Sequence, residues 1–141
     1  MTLAKPAPGS GRLERFLRRV KRRASVKQQK LTAAREARQV DRAVRYACFL
    51  RDRRCCRAYG TPLAFDTDNL FKLAHNHHLV FRSAGGSDGA ENRITLSPQA
   101  HRLMHGGYLT AEGDGNGAVR FTEYAFVGTA REIVREWVSA V

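Results

Sequence analysis

The strongest constraint on how this chain can fold is the way its charge is divided. Residues 1–57 carry 18 Lys and Arg against 4 Asp and Glu, a net +14, whereas residues 58–141 carry 7 against 9, a net −2. Unpaired cations are strongly unfavourable in a low-dielectric interior, so the first stretch must stay solvated and the core must come from the second. A segment this basic implies a polyanionic partner, because each phosphate neutralised by Lys or Arg releases condensed counterions. The plainer reading, a merely solvated helix face, explains the pattern but not its density. An anionic membrane surface is disfavoured by the thin apolar face. With 141 residues the chain suggests one domain plus room for an arm. No apolar run approaches the roughly 20 residues of a membrane span, so no membrane partner is expected. The N-terminus lacks the apolar core of a secretory signal, and its Arg-rich character leaves a transit peptide as the weaker option. Three clustered cysteines, Cys48, Cys55 and Cys56, argue against a disulfide scaffold and for a reducing compartment, expected to be the cytoplasm.

Local patterns set the order of elements. Residues 1–11 hold two prolines and two glycines and read as a disordered tail. From Leu13 a helical period begins, with Phe16, Leu17 and Val20 completing an i, i+3, i+4, i+7 stripe opposite Arg15, Arg18, Arg19, Arg22 and Arg23. The period weakens after Ser25 and returns with Ala33, Ala37, Val40, Val44 and Ala47. This predicts a basic arm over 12–50, as one long helix or as two with a break near 25–30. Residues 51–62 read as a turn-rich knuckle closed by Gly60 and Pro62. A strand is expected at His77 to Phe81, then a Gly-rich turn over 83–92, then a strand at 93–96. Ser97 and Pro98 open a helix as N-cap and first residue, and Gly106-Gly107 stops it. A hairpin turning at 113–117 follows. The spacing of Ile133, Val134, Trp137 and Val138 behind Thr129 predicts a last helix.

All five histidines fall between residues 75 and 105. His101 and His105, at i and i+4 on the expected helix, share a face one turn apart, where two imidazoles can bind one ion. His77 and His78 are neighbours on a strand and point to opposite sides, so they should not bind the same ion. One can be a ligand while the other faces a substrate as a base. A histidine pair at this spacing is more often surface or core filler than a metal site. The combination of strand pair, Gly-rich loop, Asn92, H-x3-H helix and Gly-Gly stop reverses that judgement. Three neutral imidazoles would leave the full charge on the metal and coordination open for water or a phosphate oxygen. They favour Zn²⁺, Ni²⁺, Mn²⁺ or Co²⁺ over Mg²⁺. Arg82, Arg93 and Arg102, in or beside the motif, are candidates to hold flanking phosphates. In the arm, Arg18, Arg19, Lys21, Arg22 and Arg23 are candidates for backbone contacts.

Residues 77–107, HHLVFRSAGGSDGAENRITLSPQAHRLMHGG, resemble the HNH endonuclease motif. More loosely, the resemblance reaches back to Tyr46. It implies an α+β fold in which a small ββα-metal (His-Me) finger forms a nuclease core over 51–141, its motif at 75–107, following the arm and ending in the hairpin plus helix. It assigns His77 as the first metal ligand, His78 as the general base, Asn92 as the residue that ties down the loop, and His101 and His105 as the helical ligands. His75 falls two residues before the first ligand, where a polar residue often supports the site. The implied function is metal-dependent hydrolysis of DNA phosphodiester bonds, leaving 3′-OH and 5′-phosphate ends, with one divalent ion; Mg²⁺ serves some members. Many members carry a zinc ribbon of two C-x2-C pairs. Here only Cys56 remains at the first pair and none at the second, too few thiolates for a closed tetrahedral site. The cysteines are therefore expected to be small packing residues, and this lobe to be held by apolar contacts. Double-stranded DNA is the expected partner, with a homodimer or a partner complex left open. A non-catalytic nucleic-acid-binding protein with a structural finger and an RNA-directed nuclease are the competing readings. His78 discriminates the former, because a structural finger needs ligands but no base.

Overall fold

The computed structural model describes residues 10–141. The expected tail over 1–11 lies outside the described residues except for Ser10 and Gly11, which open the first helix. That helix, α1, runs unbroken over Ser10–Arg51. No proline interrupts it, and its Ala, Arg, Lys, Gln and Leu content favours helix throughout. The weakened apolar period near 25–30 therefore marks a change of face, not a break.

The chain divides into two compact units, Met1–Val40 and Asp41–Val141. The division falls inside α1, about ten residues before the expected boundary at 50/51. In the first unit, residues 12–40 are all exposed. Its apolar stripe is no exception: Leu13 and Phe16 are more than 60% exposed.

In the second unit, the last turns of α1 are anchored by Cys48 and Phe49, both buried. Tyr46 and Phe49 pack on Phe65, with ring centroids 5.0 and 5.6 Å away. The helix ends where Arg53 and Arg54 adopt left-handed backbone (φ 55° and 58°). Non-glycine residues reach this region at a penalty of about 1–2 kcal/mol each. The backbone hydrogen bonds of the knuckle hold them there, including Arg54 N–H to Phe49 O and Leu63 N–H to Arg54 O. Beneath lies a buried polar knot. The Asp52 carboxylate accepts from Arg51, Arg57 and the Thr95 amide. Arg57 also donates to the carbonyls of Gly115 and Gly117. Because each charge is paired and hydrogen-bonded, the knot can stay buried and lock the knuckle to the later strands.

Two antiparallel strands follow, β1 (His75–His78) and β2 (Arg93–Leu96), with His77 opposite Ile94 and His78 opposite Arg93. β1 starts two residues earlier than expected and ends before Phe81. Helix α2 (Pro98–His105) comes next. A three-stranded antiparallel sheet then forms from β3 (Leu109–Gly113), β4 (Val119–Val127) and β5 (Ala130–Ser139), in that order. The core collects Cys56, Ala58, Ile94, Leu96, Ala100, Leu109, Ala111, Val119 and Phe121. The fold is thus α+β, with one long helix, one short helix and two small antiparallel sheets.

The expected C-terminal helix is a strand instead. β5 pairs with β4 along its length, and a bulge separates the Glu123–Arg135 pair from the Tyr124–Ile133 pair. Val134 is the extra residue, so two residues of β5 face one of β4 there. The insertion breaks the period-two alternation and leaves the apolar residues at helix-like spacing. Trp137 fixes the strand: it stacks on Phe121 (5.5 Å between centroids), and its indole N–H donates to Ala58 O at 2.9 Å.

Candidate metal centre

Three elements converge at one end of the short sheet. Ser97 caps α2 by accepting from the Ala100 amide (3.1 Å), and Pro98 occupies the first turn. The helix thereby starts at a fixed point after β2 and carries His101 and His105 on one face. β1 brings His77 opposite them, 4% exposed. One ring nitrogen from each of His77, His101 and His105 lies within 4.8 Å of the others. The Nε2 atoms of His101 and His105 are 3.3 Å apart. A tetrahedral ion binding nitrogens at about 2.0–2.1 Å sets them roughly 3.3 Å from one another, so the spacing already fits a first-row divalent ion. Burial, then the neighbouring His101, His105 and His78 rings, push the His77 pKa down to about 4. Burial, then His105 and His75, lower that of His101. Both imidazoles are therefore neutral at pH 7, the form that donates a lone pair to a metal.

Of the other histidines, neither joins this trio. His75 Nδ1 lies 3.3 Å from His101 Nδ1, on the side of the ring away from His105. A ligating imidazole needs a partner on its second nitrogen to fix its orientation, and His75 is in position to be that partner. Burial, followed by Arg45 and Arg102, lowers the His75 pKa, which favours a neutral, accepting ring. His78 projects to the other side of β1, as strand alternation requires. Its Nε2 lies 2.9 Å from Asp88 Oδ1.

Asn92 is buried and ties the connecting loop at two points. Its Oδ1 accepts from the Val80 amide, and its Nδ2 donates to the carbonyls of Val80 and Ser87, all at 2.8 Å. A side-chain amide can both donate and accept, so one residue closes a ring on the Val80 peptide and still reaches the far side of the loop. Gly86 makes this approach possible, since a Cβ there would sit 1.9 Å from Val80 O.

The candidate arginines separate into two kinds. Arg82 and Arg102 are exposed. Arg93 has a side chain only 3% exposed, with one Nη donating to Asp41 (2.7 Å) and the other to Asp88 (3.0 Å). Both of its Nη groups are committed to carboxylates, so it acts inside the fold. Arg18, Arg19, Lys21, Arg22 and Arg23 are exposed on α1, in the first unit.

An open groove of about 550 Å³ is lined by Arg45, His75, Asn76, His78, Arg82 and His101, among others. Sequence reasoning missed Arg45, Asp41 and Asp88. Arg45 is one of many arginines on α1, and its period alone does not mark it out. Asp88 is a lone acid in a turn. Only the folded loop shows that His78, Arg82 and Arg93 all reach the same oxygen of its carboxylate. These hydrogen bonds, that from His78 foremost, lower the Asp88 pKa to about 2.

The three cysteines form no cluster of metal-ligand spacing among the described residues. Cys48 and Cys56 are buried and Cys55 is half-buried. No helix among the described residues is long and apolar enough to cross a membrane. No family model matches the chain, and no match was found among curated proteins.

Proposed function

We propose that the protein is a metal-dependent endonuclease that hydrolyses DNA phosphodiester bonds through a ββα-metal finger of the HNH type. One observation carries this reading. His77, His101 and His105 gather their nitrogens at metal-binding spacing, while the adjacent His78 is kept out of that cluster and lines a groove with Arg45 and Arg82. A purely structural metal finger has no use for a fourth imidazole held beside, but not in, the ligand set.

His77, His101 and His105 would hold the divalent ion. When bound, it supplies Lewis-acid stabilisation of the charge that builds on phosphate oxygens. His78 takes the proton from the attacking water, a task for which an imidazole suits neutral pH. His75 supports the outer nitrogen of His101. Asn92 fixes the loop through Val80, two residues beyond the base. Arg82 and Arg102 hold phosphates flanking the cut, and the basic arm adds affinity that does not read sequence. Zn²⁺, Ni²⁺ or Mn²⁺ suits three imidazoles best, with Mg²⁺ as the alternative. The expected compartment is the cytoplasm.

The test is plasmid nicking by chelated protein with single metals added back. His78→Ala should abolish cleavage, a loss of at least about 100-fold, and keep metal and DNA binding. His101→Ala and His105→Ala should lose metal affinity as well. Cleavage by His78→Ala at the normal rate would remove the base assignment. Salt-sensitive DNA binding without cleavage by any form would favour a binding module or an RNA substrate.

A further inference from the structure

The loop that joins the two strands of the finger contributes more than a connection. Asp88 Oδ1 accepts from three side chains: His78 Nε2 at 2.9 Å, Arg82 Nε at 2.5 Å and Arg93 Nη2 at 3.0 Å. Surface ion pairs of this kind are usually worth little, because long side chains must be ordered to form them. Here the geometry is set from inside. Arg93 is buried on β2, and its other Nη is held by Asp41 at 2.7 Å. The carbonyl of Ser87, the residue before Asp88, is pinned by Asn92 at 2.8 Å. The carboxylate is therefore placed by the sheet and the loop lock together, and His78 is the group it finds.

We infer that Asp88 is a positioning residue for His78: its carboxylate receives the Nε2–H of the imidazole, fixing the ring and leaving Nδ1 as the bare nitrogen that faces water. This rests on the nuclease reading for its consequence, but not for its geometry. The proton count is simple. Neutral His78 carries one proton, on Nε2 and shared with Asp88. Nδ1 takes the second from water, the resulting hydroxide oxygen bonds to phosphorus, and the P–O3′ bond breaks; the 3′ oxygen leaves with the bonding pair and takes a proton from solvent water to give the 3′-OH end. The imidazolium then formed lies against a carboxylate that is already ionised. Arg82, exposed and bound to the same oxygen, can turn to a substrate phosphate without releasing Asp88, because Arg93 keeps its hold. The chain Asp41–Arg93–Asp88–His78 thus links the C-terminal part of α1, β2, the loop and β1 in one series of charge-assisted hydrogen bonds.

Two readouts on the full chain test this. The first is plasmid cleavage by Asp88→Ala and Asp88→Asn beside His78→Ala, with thermal midpoints checking the fold. Asp88→Ala should lower kcat on the order of 10- to 100-fold, with KM within about twofold of wild type. Asp88→Asn, which keeps an acceptor oxygen, should recover part of the loss. If Asp88 instead served to shield the arginines from DNA, both variants would lower KM and keep kcat, which overturns the inference. The second readout needs neither metal nor activity: the ¹⁵N ring signals of His78 in metal-free protein. Wild type should show a protonated Nε2 and a bare Nδ1, and Asp88→Ala should average the two. Unchanged ring signals overturn the inference whether or not the protein cleaves DNA. Wild type that does not cleave, with ring signals that do collapse in Asp88→Ala, overturns the nuclease reading and leaves the positioning role standing.

Discussion

In the proposed metal site two demands meet at His77: it must be buried enough to pack under the helix and neutral enough to donate to a metal. Burial and three neighbouring imidazoles satisfy both by lowering its pKa to about 4. The consequence for stability has a definite sign. An unfolded histidine titrates near 6.5, so between about pH 6.5 and 4 the unfolded chain binds a proton that the folded chain refuses. Stability of the metal-free protein should therefore fall as pH drops through that window and should not change from this source above it. His101 and His75 shift in the same direction and add to the slope. Thermal midpoints in chelator, taken from pH 7 to 4.5, should decline for wild type and decline less for His77→Leu, which stays apolar but does not titrate. Identical slopes for the two would mean that His77 is not the group responsible. At this scale the sequence was informative where alternation and helical spacing fix direction: they paired His101 with His105 and kept His77 and His78 from sharing an ion, while the choice of His77 as third ligand came from the resemblance to the HNH motif. It was silent on Asp88, whose part depends on a turn that brings residue 88 back beside residue 78. No local pattern encodes that return.

The elements show the same division between local and non-local signals. β2 and α2 matched expectation because their signals are local: a short apolar run, then Ser-Pro at the helix start and Gly-Gly at its end. β5 did not, because the bulge at Val134 shifts its apolar residues out of alternation, and only pairing with β4 decides the matter. The loop between β1 and β2 depends on one close approach. A Cβ at Gly86 would lie 1.9 Å from Val80 O and 2.7 Å from Asn92 Nδ2, and the first of these is backbone that cannot step aside. Gly86→Ala should therefore destabilise the protein by about 1–3 kcal/mol, the usual range for overpacking, and loosen the Asn92 lock. The proposed metal ligands lie on β1 and α2, outside this loop, so zinc affinity should change much less than the proposed cleavage does. Denaturant unfolding and a zinc titration on the same preparation would separate the two effects. A variant as stable as wild type would show that the loop can repack without its Asn92 ring.

For the whole molecule, the charge division read from the sequence after residue 57 falls later than the division into compact units at 40/41, so the second unit takes in part of the basic stretch. In the first unit the helix is exposed over residues 12–40, and the second unit holds the core and the histidine cluster. A helix exposed along its length draws little stability from its own burial, and the proposed role of its basic side chains is to bind a polyanion. Arg18, Arg19, Arg22 and Arg23 fall at i, i+1, i+4 and i+5 and share a face, suited to following a run of phosphates. If that face contacts DNA, each phosphate it neutralises adds about 0.9 to the slope of log affinity against log salt. Replacing these four and Lys21 by Gln in the full chain removes five cations. The slope should then shallow by up to about 4.5, and DNA affinity at low salt should fall by at least tenfold. Because none of the five lies in the unit that holds the histidines, kcat at saturating DNA should be unchanged and the whole loss should appear in KM. A steep salt slope that survives the five substitutions would assign DNA affinity to the second unit, where Arg45, Arg82 and Arg102 are exposed cations near the proposed chemistry, and would leave the arm's charge to some other polyanion.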